Sequence, residues 1–569
     1  MNKKKADDTI PPLEKGVRVV PLGGVEEVGK NMTIIETVDD IFVVDVGFQF
    51  VSEYDAPGVD YVLPNTRYLE ERKDKIRAVL ITHGHLDHIG GIPFIMDRIG
   101  NPPLYTRFLT SIMIQRRQEE FPHLPKIDIR VLEPDDRVKI GNTYVSSFPV
   151  THSIPDSMGF RIETELGDVL LTGDLKLDHT NGKPSKKEED KFKALGKRDV
   201  LLFIADSTNA ERPGFSITEA SVLDNIESIV KGVSGRLIIG TFASQFERMI
   251  HIIKAAEKYG KKVATEGRSI KTNIEIAEKA GLLKIKKDTI IPSQDIGEYP
   301  PDKIVVIATG AQGEEFAALM RIATKKHRTI TFNERDTVVL SSSIIPGNEL
   351  AVQRLKDNLY RHNVKILHYR VSDVHSTGHG NAGELVWINQ QINPTFFMPA
   401  YGYHSMLKSH AQAVVEGGFP KENVIVPDNG TVIDIIDKKK FIIQEAKAPS
   451  GLMMVDGFSV GDAQEVVIRD RQTLSQDGMF VIVATINIKT GKLRKSPDII
   501  SRGFIYLRES QGLLGESRIV VKKTIEGMTE NMHPINFDYI KTELTDEMRR
   551  YLFQKTNKQP IVIPVLIGV

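Results

Sequence analysis

Between Thr82 and His88 the chain reads Thr-His-Gly-His-Leu-Asp-His, which puts four metal-ligating side chains within six residues. The apolar run IRAVLI precedes them and Gly90-Gly91 follows, so imidazoles and a carboxylate are expected on one strand-end loop. Imidazole nitrogen and carboxylate oxygen suit divalent cations such as zinc. Two cations about 3.5–4 Å apart that share a water and polarise one oxygen perform hydrolysis. His83 and His85 are expected to serve one cation, and Asp87 and His88 the other. The remaining donors must come from other strand ends. His152 in VTHS and Asp174 in LTGD each close an apolar run. Asp45 in VVDVG is a further strand-end acid, suited to orienting a ligand from behind.

The composition makes this set more telling. The 569 residues include 15 His and no Cys, which excludes disulfides, zinc fingers, iron–sulfur clusters and thiol nucleophiles. With 75 Lys plus Arg against 75 Asp plus Glu, the molecule as a whole is no polycation, so nucleic acid would have to be held by local groups. Basic runs at Lys325-Lys326-His327-Arg328 and Lys438-Lys439-Lys440 could track a phosphate backbone, but read first as solvated faces. No secretory h-region follows the basic start, and about 18 consecutive apolar residues occur nowhere. A cytoplasmic protein without a membrane segment is the expectation.

Strands separated by glycine turns dominate from Val17 to Thr172, the pattern of stacked sheets. From Pro213 to about Arg361, helical stretches alternate with apolar runs such as GRLIIGTF and KIVVIATG, which predicts a parallel α/β insert. The strand-rich style then returns with NVKILHYR, PTFFMPAYG and TVIDIID. A final unit is expected to carry the strand MFVIVATINI, a turn at Lys489-Thr490-Gly491, a helix from about Ile535 to Phe553 and the terminal run IVIPVLIGV.

The His-x-His-x-Asp-His loop, with a later lone His and then Asp, resembles the metallo-β-lactamase superfamily. Further segments resemble its β-CASP nucleases, and among them the ribonuclease J family: PLGGVEEVGKNM, THGHLDHIGGIPF, THSIPDSMG, TGDLKLD, ADSTNAERPGFS, TGAQGEEFAAL, IIPGNE, HSTGHG and SPDIISRGFIYLRES. The likeness runs from about Val17 to about Ser510. It implies an α/β fold: a metallo-β-lactamase αββα sandwich at 17–212 and 362–445, an inserted β-CASP parallel α/β domain at 213–361 and a small C-terminal α/β domain at 463–569. Residues 1–16 would be a flexible N-terminal segment and 446–462 a linker.

The resemblance also implies two Zn2+ per chain. One would be held by His83, His85 and His152, the other by Asp87 and His88, with Asp174 bridging. Mn2+ or Mg2+ could support activity. Asp87, Asp206 and His379 would be catalytic, with His379 near the scissile phosphate. Ser207, Thr208, Asn209, Arg212, Arg268, Gln312 and the run His375, Ser376, Thr377, Gly378 would bind substrate. The expected activity is 5′ to 3′ exonucleolytic and endonucleolytic hydrolysis of single-stranded RNA carrying a 5′-monophosphate, in RNA maturation and decay. Expected assemblies are a homodimer, a homotetramer or a hetero-oligomer with a paralogue.

Three positions depart from the family pattern. Where Pro-x-His-Gly-Glu-Tyr is usual, this chain has Pro399-Ala400-Tyr401-Gly402-Tyr403-His404, so Tyr401 replaces an imidazole of the second metal site. A neutral phenol, with pKa near ~10, is a poor substitute, and His404 could serve only if the loop were remodelled. Glu26 stands where Gly is usual, and Thr377 where Ser is usual. The first zinc is therefore expected to be firmer than the second. The alternatives are a weakly active or inactive RNA-binding subunit that scaffolds an active paralogue and, further off, a small-molecule metallo-hydrolase.

Overall fold

The computed structural model describes residues 9–51, 58–315, 317–344, 348–457, 459–461, 464–505, 510–530, 532 and 534–569. The first half of the expected N-terminal segment, up to residue 8, the centre of IIPGNE, Phe316 of TGAQGEEFAAL and residues near the end of SPDIISRGFIYLRES lie outside the described residues.

Two sheets face each other. The first has eight strands in the order Phe441–Ile443, Ile433–Ile435, Val17–Gly23, Met32–Glu36, Ile41–Val44, Ile76–Leu80, Leu104–Thr106, Ile129–Val131. The second has six, in the order Phe396–Ala400, Val200–Asp206, Gly167–Leu171, Met158–Thr164, Thr143–Pro149, Arg137–Ile140. Their inner faces share one core, in which Ile35, Phe42 and Leu80 meet Phe160, Leu171, Ile204 and Met398. Each such fully buried side chain contributes about 1.5–3 kcal/mol of transfer free energy. Phe203 and Phe397 turn the other way and pack under helices Lys186–Gly196, Ala382–Ile392 and His404–Glu416 through Phe192, Ile388 and Val414. Burial on both faces explains why these strands read as unbroken apolar runs.

Strand Phe396–Ala400 is synthesised after the insert yet lies parallel to Val200–Asp206, with Ala400 opposite Asp206. The sandwich is therefore split, and its two halves are rejoined inside one sheet.

The insert is a six-stranded parallel sheet in the order Ile290–Ile291, Lys262–Glu266, Ile304–Ala308, Leu237–Thr241, Thr337–Ser341, Lys365–His368. Alternate residues face opposite ways. Leu237 and Ile239 meet helices Glu219–Gly232, Phe246–Lys258 and Arg268–Lys279, while Ile238 meets Ala318–Ala323 and Glu349–Tyr360. Thr218 caps the first of these helices by accepting from Ser221 N (3.3 Å), and its apolar Val222, Ile226 and Val230 recur every four residues. One boundary needs correcting: NVKILHYR, expected in the sandwich beyond residue 361, supplies the insert's sixth strand beside Thr337–Ser341. Helix Glu349–Tyr360 is a crossover, and a crossover must return its chain to a parallel strand.

The chain forms two compact units, and the second unites 452–569 with the early segment 50–62. In this second unit, strands Asp498–Arg502, Met479–Ile486 and Ile561–Gly568 bury Phe480, Ile482 and Ile486 against helices Gln511–Thr529 and Phe537–Thr556. The expected linker 446–462 carries the strands Met453–Asp456 and Ser459–Gly461. Its apolar Met453 and Val455 are buried, and Asp60 N donates to Val455 O at 2.9 Å. That long-range pairing overrides the turn-like composition around it.

Candidate metal centre

Strand Ile76–Leu80 delivers His83 and His85, and the one-turn helix Leu86–Ile89 after it carries Asp87 and His88. His152 follows strand Thr143–Pro149 and Asp174 follows Gly167–Leu171. These ends converge into two donor groups, His83/His85/His152/Asp174 and Asp87/His88/Asp174, each with its ligand atoms within 4.8 Å of one another. In the first, His85 Nδ1 is 3.0 Å from His83 Nε2 and 3.1 Å from His152 Nε2. Asp174 belongs to both groups. Its Oδ2 lies 3.6 Å from His83 Nε2 and its Oδ1 lies 3.3 Å from His88 Nε2. Three imidazoles and a carboxylate fit a divalent cation by donor number and type. The second group has three donors among the described residues.

Protonation supports the same reading. Burial, reinforced by neighbouring imidazoles, holds His83 and His152 well below the usual histidine value, and burial also lowers His85. These rings are neutral, as ligation requires. Burial opposes charge on His88 too, but Asp174, Asp45 and Asp87 raise it well above its ordinary value in the metal-free protein. Asp174 is held far below the usual carboxylate range, against burial, chiefly by His88 and His379.

Asp45 supports the centre from behind. It accepts from His88 Nδ1 at 2.7 Å and from Thr82 N at 2.8 Å, so His88 keeps Nε2 turned to the site. Its φ of +62° is a left-handed backbone that costs a non-glycine residue about 1–3 kcal/mol. Replacing Asp45 by Asn is expected to weaken metal affinity about 10–100-fold, read by chelator competition, because an amide cannot fix the His88 tautomer as firmly.

A third wall comes from across the split. Asp206 closes strand Val200–Asp206, and its Oδ2 accepts from His379 Nδ1 at 2.7 Å. His379 Nε2 is 3.9 Å from Asp174 Oδ2. Burial would lower His379, but Asp206 and then Asp174 raise it to about 9. The loop His375–Gly380 is tied to the centre because His152 Nδ1 donates to Gly378 O at 2.8 Å. A Cβ on Gly378 would stand 2.3 Å from the His152 ring, so only glycine allows this approach. Asn209 Nδ2 donates to Thr377 Oγ1 and to His379 O, both at 3.1 Å.

Several supporting residues escaped the sequence reading. Arg248, fully buried in the insert, donates to His375 Nδ1 (2.8 Å) and Ser376 O (3.2 Å) and pairs with Glu219 (2.7 Å). Buried Lys176 donates to Ser376 Oγ at 2.8 Å. Asn31 Nδ2 donates to Asp87 Oδ2 (3.3 Å) and lies 2.9 Å from His88 Nε2. One signal was available: Arg248 is a cation among the buried apolar positions Phe246, Met249 and Ile252 of an amphipathic helix.

Other candidate residues stand outside both donor groups. Ser207 is fully buried and its hydroxyl bonds His410 Nδ1 at 2.9 Å. Side chains alternate along a strand end, so Asp206 faces the centre and Ser207 the outer helical layer. His404 opens helix His404–Glu416 at the surface, 3.7 Å from Asp428 and grouped with Glu26, outside both donor groups. Gln312 is buried and braces its own loop by donating to Ser343 O at 2.7 Å. Arg268 stands exposed at the start of its helix, on the carboxyl edge of the insert sheet. Of the basic runs, Lys438 pairs with Asp199, and His327 lies 3.2 Å from Glu266.

Tyr401 does lie beside the second donor group. It is 4 % exposed, its ring centroid is 5.7 Å from that of His88, and its φ is +58°. Its hydroxyl is buried and has no hydrogen-bond partner among the described residues. Burial first, then the charges of Asp45, Asp174 and Asp206, push the phenol well above its ordinary value.

No helix among the described residues is long and apolar enough to cross a membrane. Family models match in three places: the metallo-beta-lactamase superfamily at residues 25–217, the ribonuclease J beta-CASP domain at 234–359 and the ribonuclease J C-terminal domain at 466–569. Ribonuclease J2 of Bacillus subtilis is 34 % identical over 555 residues, covering 98 % of this chain and 99 % of that one. Ribonuclease J 1 of Streptococcus pyogenes is 37 % identical over 560 residues, covering 98 % of each. Ribonuclease J 2 of Staphylococcus aureus is 33 % identical over 553 residues, covering 97 % of this chain and 98 % of that one. A solved protein of unknown function from Enterococcus faecalis has the same fold over 74 % of this chain and all of its own, at a TM-score of 0.51 and 16 % identity. Full-length identity above 30 %, a converging His/Asp centre and an insert that splits the sandwich lead to one conclusion: the chain belongs to the ribonuclease J family.

Proposed function

We propose that this chain is a metal-dependent ribonuclease that hydrolyses single-stranded RNA from a 5′-monophosphate end in the 5′ to 3′ direction and also cuts internally, acting in the cytoplasm in RNA maturation and decay. One observation carries the reading: Asp174 gives one oxygen to each of two donor groups, while His379, held by Asp206, closes the same space. Divalent cations bound there, zinc or manganese, would neutralise phosphate charge and lower the pKa of a water.

The chain's own residues do the rest. His379 carries a proton at neutral pH and is aimed by Asp206, so it is the donor for the leaving oxygen. Asn209 and Thr377 hold that loop in place. Asn31 and Asp45 fix Asp87 and His88. A first cation would be held by His83, His85, His152 and Asp174 and a second by Asp87, His88 and Asp174, so the second would be the weaker.

Tyr401, in place of an imidazole, favours a second reading: a weakly active RNA-binding subunit that scaffolds an active paralogue. One assay separates the two. Purified protein with Mn2+ is given end-labelled RNA bearing 5′-monophosphate, 5′-triphosphate or 5′-hydroxyl. The nuclease reading expects mononucleotides from the monophosphate substrate, at least about 10-fold faster than from the others, and none from Asp87→Ala. No release by wild type, with release by Tyr401→His, would establish the scaffold.

A further inference from the structure

The backbone around Tyr401 is pinned on both sides. Thr208 Oγ1 donates to Tyr401 O at 2.8 Å, and Gly402 N donates to Gly24 O at 3.2 Å. These bonds hold an aromatic residue in the left-handed region, which a bulky side chain does not adopt without compensation. The strained backbone delivers a buried O–H to the edge of the second donor group. Asp45, Asp174 and Asp206 are near enough to act on it electrostatically, yet none is within hydrogen-bond reach. All three are engaged elsewhere: Asp45 by His88 and Thr82, Asp206 by His379 and Leu175, and Asp174 by the histidines. A buried donor without an acceptor is costly to keep, and its retention beside a catalytic centre points to an acceptor brought by the ligand.

We propose that the Tyr401 hydroxyl donates a hydrogen bond to a phosphoryl oxygen of the bound substrate. Tyr401 is then a substrate-binding residue whose neutral hydrogen bond partly offsets the metal ligand lost with the imidazole. The inference rests on the nuclease reading for its substrate but stands apart from it for the phosphate contact. A neutral O–H facing three carboxylates cannot bind an anion alone, so the contact forms only when the donor groups hold their cations.

The experiment uses the full chain loaded with Mn2+ and compares wild type with Tyr401→Phe, which keeps the ring and its packing. Bound manganese is counted, inorganic phosphate affinity is measured by calorimetry, and kcat and KM are determined on 5′-monophosphate RNA. The expected result is an unchanged manganese count, phosphate affinity about 10-fold weaker and kcat roughly 10–100-fold lower, the size of effect of one lost donor to a charged acceptor. Equal phosphate affinity in the two proteins would overturn the proposal, as would the absence of phosphate binding by wild type. Loss of a manganese ion from the Phe variant would overturn it differently, by making the phenol a metal ligand. If phosphate affinity differs but wild type cleaves no RNA, the nuclease reading fails and the donor role stands.

Discussion

Replacing Asp174 by Asn is expected to lower RNA cleavage by at least ~10^3-fold and to release both cations, a larger effect than loss of any single histidine. Each histidine serves one donor group, whereas the two Asp174 oxygens serve one group each, and Oδ2 also lies 3.9 Å from His379. Metal analysis after dialysis should show less than one ion per chain, where His85→Ala retains partial occupancy. The metal-free protein should also lose stability at neutral pH, because His88 and His379 lose a counter-charge in a buried setting. The loss should be about 3 kcal/mol at most, since the imidazoles can release their protons. Its sign with pH is fixed. Asp174 is held far below 3.8, so its contribution is present above the unfolded value and disappears as pH falls through the folded one. Melting curves of wild type and variant should therefore converge in acid.

Replacing His379 by Gln is expected to cost about 10^2–10^4 in kcat with the metal content unchanged. The ring's Nε2 lies 3.9 Å from Asp174 Oδ2, the ring meets that of His152 at a centroid distance of 5.4 Å, and its strong bond is to Asp206. As a proton donor it must be charged. With its folded value near 9, wild-type kcat should hold to about that pH and then fall. Asp206→Asn removes the largest opposing charge, so the alkaline limb should move toward neutrality. The ring's stabilising contribution follows the same direction: it is fully present below about 6.5 and lost as pH rises through about 9. Metal counting and pH profiles on one set of variants separate the two residues, because only Asp174 governs occupancy.

Much of the centre could be read before any coordinates, for a physical reason. His83, His85, His152, Asp174 and Asp206 all follow apolar runs, and chemistry placed at strand ends announces itself in a sequence. What escaped was direction and partnership. Ser207 follows Asp206 by one residue but faces the opposite layer, and whether a strand end keeps its alternation is settled by packing. Arg248 and Lys176 matter through Ser376, 128 and 200 positions away, a distance no local pattern spans. The run NVKILHYR resembled its sequence neighbours, but the crossover helix before it decided its sheet. Segment 50–62 joins residues beyond 452, a pairing set by long-range hydrogen bonds and not by turn composition.

The rejoined sheet also has a consequence in time. Asp206 and Ala400 are paired neighbours in space, but the ribosome makes one long before the other. At ordinary elongation rates the interval is roughly 10–40 s. Throughout it the nascent chain has Asp206 without strand Phe396–Ala400 beside it and without His379 against it. A chain still under synthesis is thus an incomplete catalyst until about seven-tenths of it has been made.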